Sequence, residues 1–137
     1  MTIVNWDEIF FGPTAGPNGL YLHKGEPFDG VRRKMDGEGR VSCEEEYRQG
    51  LRWGASKEWY NSGQLYSESN FFRDVLHGTK REWNEDGSPA EDSEYEYGVN
   101  TRKSTWDRFG NLTESYEINQ DEPDFQLLQA LRRAFGQ

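Results

Sequence analysis

Residues able to do chemistry are few in this chain and stand far apart. His23 and His77 are its only histidines, and Cys43 is its only cysteine. A Cys–His nucleophile needs an exposed, activated thiol. The alternation around Cys43 instead sets it on the inward side of a strand, as an inert thiol. One cysteine and two distant histidines give no zinc spacing. Carboxylates are too abundant to single out an acid–base pair, since the runs at 44–46 and 91–92 fall on repeating faces. Gly37, Gly39 and Gly50 lack the Lys-Ser/Thr ending of a phosphate loop. These absences point away from an enzyme and from any metal or cofactor, and towards binding.

Charge is the more informative chemistry. Glu44, Glu68 and Asp92 form one acidic column, and Glu46 and Glu94 belong to a second that continues at Glu117 and that Asn70 interrupts. Arg33, Lys57 and Arg81 form a basic column on the alternate strands. Cross-strand pairs between such columns stabilise by about 0.2–1 kcal/mol each. Unneutralised acid is expected at 44–46 and at 85–96, a stretch without Lys or Arg that holds Glu85, Asp86, Glu91, Asp92, Glu94 and Glu96. Glu44, Glu46, Glu68 and the six acids of 85–96, with Tyr60, Tyr66 and Tyr97, which fall off the inward columns, are the predicted partner-binding surface. A net charge of −9, from 16 basic and 25 acidic residues, disfavours nucleic acid and anionic membranes. It steers a basic protein inwards. A single cysteine suits a reducing compartment. The opening residues lack a basic, apolar leader, and no run reaches a membrane span, so the expected location is the cytoplasm.

The elements that position these columns follow from a 24-residue echo. Gly30, Gly54 and Gly78 repeat at that step, as do Gly39, Gly63 and Gly87. Met35, Trp59 and Trp83 follow it, with Tyr47, Phe71 and Tyr95. Such a period marks an array whose units cannot bury their apolar faces alone. Hydrophobic residues make up only 33% of the chain while aromatics reach 15%, which favours strands and thin ring layers over an aliphatic core. Val41, Cys43, Glu45 and Tyr47 alternate with Ser42, Glu44 and Glu46, a strand signature, and the glycine of each unit supplies a hairpin turn.

The expected fold is all-β: a single-layer twisted antiparallel sheet of successive β-hairpin repeats, with a short C-terminal α-helix. Residues 1–17 form an N-terminal cap, 18–118 about four units, and 119–137 a helix packing on the array. The ring columns Met35/Trp59/Trp83/Trp106 and Tyr47/Phe71/Tyr95/Ile118 are expected to line one inward face. Pro89 is expected to delay or fray the strand it enters. A fourth unit runs one residue early at Trp106 and Gly110, with Arg102 where glycine would stand. Pro123, Asp124, Arg132 and Arg133 are helix-end signals. The helix either covers the edge of the last hairpin or reaches a partner.

The segment Trp59-Tyr60-Asn61-Ser62-Gly63-Gln64-Leu65-Tyr66-Ser67-Glu68, with Phe71 and Gly78, resembles the MORN-repeat variant family. Trp83 to Gly87, with Tyr95 and Gly98, is similar. The resemblance spans about residues 18 to 118. It implies a MORN-like hairpin array and a bacterial immunity protein or antitoxin, which binds a cognate toxin and occludes its active site. No catalytic residues carry over from that family. The alternative is a non-catalytic repeat scaffold for protein–protein interaction.

Overall fold

The computed structural model describes residues 2–10 and 19–136. Residues 11–17 of the expected cap, and Asn18, lie outside them. Twelve strands, one short 3-10 helix (Trp6–Glu8) and one α-helix make up the regular structure of the described residues. β1 (Ile3–Asn5) pairs in parallel with β5 (Gly30–Met35), Val4 opposite Arg32. β2 (Ile9–Phe10), β3 (Leu22–His23) and β4 (Glu26–Pro27) form a separate three-stranded sheet. Val4, Ile9, Phe28 and Tyr47 form a buried cluster at this end, with Tyr21 against it.

From β5 the chain runs as the expected antiparallel array. β6 (Val41–Arg48), β7 (Leu51–Trp59), β8 (Leu65–Phe72), β9 (Val75–Trp83), β10 (Pro89–Glu96), β11 (Val99–Trp106) and β12 (Leu112–Glu117) lie side by side in chain order, giving nine strands with β1. Two kinds of connection alternate. At one end are four five-residue loops, in which Asp36, Tyr60, Asn84 and Asp107 donate their N–H to the carbonyls of Arg40, Gln64, Ser88 and Asn111. Each closes on a glycine at positive φ, as in Gly63 at 93°. At the other end Gln49-Gly50, Arg73-Asp74 and Tyr97-Gly98 take positive φ at both positions, the mark of a two-residue type I′ hairpin. Asp74 replaces the usual glycine there, and its carboxylate bonds the Arg52 guanidinium at 2.7 Å.

The structure corrects four local expectations. β10 begins at Pro89 itself, opposite Trp83, where the missing N–H is tolerated as the first residue of a strand beside a bulge. The early fourth unit has lost one residue in the bulge. Ser69 and Phe71 face Lys80 and Leu76, whereas Ser93 and Tyr95 face Lys103 and Asn100. Arg102 therefore stands in register with Thr79, not with Gly78. The ring columns also fall at irregular positions, with register shifts between Glu58 and Trp59 and between Ser69 and Phe71. Of those eight residues only Tyr47 is buried.

The fourth correction concerns α1 (Pro123–Phe135), which has proline in its first turn and Arg132 and Arg133 in its last. It packs on the array as expected, fully burying Leu128. Its side chains reach back to Glu96, Tyr97 and Arg73 at the type I′ end, while its N-cap Glu122 accepts from the Tyr116 hydroxyl of β12 at 2.7 Å. No helix of the described residues is long and apolar enough to cross a membrane.

Candidate functional site

Formal charge alternates strand by strand across the array. β5 carries +3, β6 −2, β7 +1, β8 −1, β9 +1, β10 −4, β11 +2 and β12 −2. Every hairpin thus sets a basic strand against an acidic one. On one face the predicted columns meet as pairs: Arg33 Nη2 lies 2.6 Å from Glu44, Lys57 3.6 Å from Glu68, and Arg81 3.4 Å from Asp92. Asp92 also accepts from Arg102 at 3.3 Å, and the same guanidinium is 3.4 Å from Glu94. On the other face Lys80 sits between Glu82 and Glu91.

Most of the acids expected to be unneutralised are therefore partnered. Glu91, Asp92, Glu94 and Glu96 draw cations from β9, β11 and α1, and Glu96 takes a two-pronged contact from Arg132. Glu46 has a backbone role. Its carboxylate accepts the Ala55 N–H at 2.8 Å and lies over Gly54, whose φ is +102°. A Cβ at Gly54 would collide with that carboxylate. One unit on, Asn70 covers Gly78 in the same way and donates to the Thr79 carbonyl at 3.1 Å.

Tyr97 belongs to the helix-docking end. Its N–H donates to His77 Nδ1 at 2.9 Å, and its ring is 4.5 Å from the His77 ring and 5.8 Å from Phe135. Phe72 and Trp53 extend this row of rings at 6.0 and 5.1 Å spacing, and Arg48 caps it 4.7 Å from Trp53.

Four of the twelve predicted residues converge at the opposite end. The Tyr60 and Tyr66 rings meet edge to face at 5.0 Å, and the Tyr60 hydroxyl donates to the Trp83 carbonyl at 2.8 Å. That bond links loop 60–64 to the end of β9, directly before loop 84–88, which carries Glu85 and Asp86. Desolvation, then Tyr66 and the carboxylates of Glu85, Glu82 and Asp86, hold the Tyr60 phenol above its ordinary range. Asp86 accepts from the Ser88 hydroxyl at 2.6 Å and its N–H at 2.8 Å, which lowers its carboxyl. Among the described residues no hydrogen bond or ion pair reaches Glu85, which is exposed. This is a braced aromatic pair beside acid that lacks a cation.

Sequence reasoning missed one open cleft, lined by Trp6, Tyr21, Arg32, Cys43, Glu45 and Glu58. Arg32 lies flat over Trp6 at 3.6 Å and donates to its carbonyl at 3.0 Å. Tyr47 donates to Glu45 at 2.7 Å, and burial, then that carboxylate, pushes its phenol up. Trp6 and Tyr21 lie outside the regular repeat, so no period announced the cleft. Comparison with known proteins gives no matching family model, no matching curated protein and no matching solved structure.

Proposed function

We propose that this protein binds and neutralises a toxin protein with a basic surface, as an immunity protein or antitoxin, and that the Tyr60, Tyr66, Glu85 and Asp86 patch makes the first contact. The observation that carries the reading is the bracing of Tyr60 against the Trp83 carbonyl, which fixes two aromatic anchors next to unpaired acid. Rigid tyrosines lose little conformational freedom on docking and dominate many interfaces. An interface of roughly 800 Å² per partner fits on a broad sheet without a deep pocket. The resemblance to MORN-repeat variant proteins supports neutralisation over other forms of binding.

Co-expression tests it. The protein encoded beside this one should be lethal alone, harmless with this chain, and recovered with it one-to-one. Glu85→Lys with Asp86→Lys should weaken the complex and flatten its salt dependence. Lethality that persists with no complex formed would overturn the reading. The alternative, a non-catalytic scaffold, draws on the half-exposed state of both faces across β7 to β9. It predicts two partners held at once and no rescue.

A further inference from the structure

We infer that the outer edge of β12 is a docking site for an extended strand of a partner protein that carries Lys or Arg opposite Glu117. Among the described residues β12 is the last strand of the nine-stranded sheet and pairs only with β11. Ile118 donates its N–H to Thr101 at 3.0 Å. By the two-residue alternation of an antiparallel ladder, Tyr116 and Glu114 also face β11, while Ser115 and Glu117 turn their N–H and C=O groups outwards. Such an edge is a template for strand addition.

The charge order of the array identifies the occupant. Basic and acidic strands alternate without exception from β5 to β12, and β12 is acidic. The next position in that order is a basic strand. β12 stands to this empty position as the acidic β8 stands to the basic β9, to which it pairs antiparallel. Glu117 is the acid of β12 left for such a strand to meet. It lies opposite Arg102, yet Arg102 turns away to Asp92 and Glu94. Among the described residues Glu117 has no ion pair. Glu114, on the other face, is already matched by Lys103 at 3.7 Å. A second copy of the chain is the poorer fit, because it would lay two acidic strands together with no cation between them. This surface is distinct from the Tyr60 patch and stands whether or not the neutralisation reading does.

The probe is a synthetic peptide with the β9 sequence, residues Val75–Trp83, which fills the equivalent place on β8. Added in excess at low salt to the intact protein, it should slow amide exchange at Ser115 and Glu117. A peptide with Lys80 and Arg81 both replaced by Glu should leave them unchanged. Ser115→Pro removes an outward N–H without touching the β11 ladder, and should abolish the effect. Glu117→Lys keeps the backbone and should weaken peptide binding about five-fold or more. If Ser115→Pro fails to fold, Glu117→Lys decides alone. Unchanged exchange at both amides, or equal binding by Glu117→Lys, would overturn the proposal. So would self-association of the protein through β12 that excludes the peptide.

Discussion

Arg132 grips Glu96 across 36 residues of sequence, with Nε 2.5 Å from one carboxylate oxygen and Nη2 2.8 Å from the other. The contact pins the last turn of α1 to the end of β10, next to the stacked Tyr97 and Phe135 rings. The Arg132 hydrogen bonds hold the Glu96 carboxyl below its ordinary value, against a smaller opposing effect of burial. A depressed carboxyl stabilises the fold fully above its unfolded pKa, about 4.3, and loses that contribution as pH falls through the lowered folded value. Helix docking, read from amide protection at Leu128, should be constant from about pH 7 to 5 and weaken below about 4. Glu96→Gln should remove that acid dependence. Identical acid profiles for the two proteins would refute the assignment.

Leu128 is fully buried, the one helix residue in that state. Leu128→Ala should cost about 2–5 kcal/mol in chemical denaturation, by lost transfer energy and by the cavity left behind. Leu127, half exposed on the same helix, should cost far less. Equal losses would place the helix differently on the array.

Gly54 and Gly37 separate the two kinds of glycine. Gly54→Ala meets the Glu46 carboxylate at a φ of +102°, and should destabilise by about 1–3 kcal/mol. Gly37 has open space around it and no positive φ, so Gly37→Ala should be near neutral. Midpoints of urea unfolding check both.

Burial, then the charges of Glu45 and Glu58, push the Cys43 thiol up to about 12. At pH 8 the thiolate fraction is on the order of one in ten thousand, so alkylation should be slow in the native protein. It should speed up by orders of magnitude in denaturant. Equal rates in the two states would show a thiol free of these neighbours.

Tyr60→Phe removes only the hydroxyl that reaches the Trp83 carbonyl. If bracing matters to the proposed interface, this variant should bind the toxin several-fold more weakly with little loss of stability, and Tyr66→Ala should cost more. Calorimetric titration against the co-purified partner decides it. Full affinity in both variants would move the anchor elsewhere.

The repeat, its turn glycines and the paired charge columns were legible because each is written at a fixed step along the chain. What spacing could not supply was parity. Met35 and Tyr47 are 12 residues apart, but the β5–β6 register shifts between Lys34 and Met35, so the alternation counted back from Tyr47 breaks before it reaches Met35. Turn and bulge geometry decide such matters, and the lost residue in the fourth bulge shows how small the sequence signal is. The acids at 85–96 looked uncompensated because their cations come from elsewhere, Lys80 and Arg102 on neighbouring strands and Arg132 on the helix. The parallel β1 and the small β2–β3–β4 sheet lie outside the regular array, so nothing periodic announced them. Of the candidate site, the pairing of two tyrosines with Glu85 and Asp86 emerged only when loops 24 residues apart were seen side by side.

The placement of packed apolar groups has a mechanical consequence. Val4, Ile9, Phe28 and Tyr47 thicken the β1 end of the sheet, and Leu128 under α1 thickens the side of the type I′ turns from β8 to β11. Among the described residues no α-helix packs on the five-residue-loop side of the array, and stiffness in bending comes chiefly from thickness. The sheet is thus a leaf spring clamped along one side, whose opposite, loop-bearing side is the more compliant.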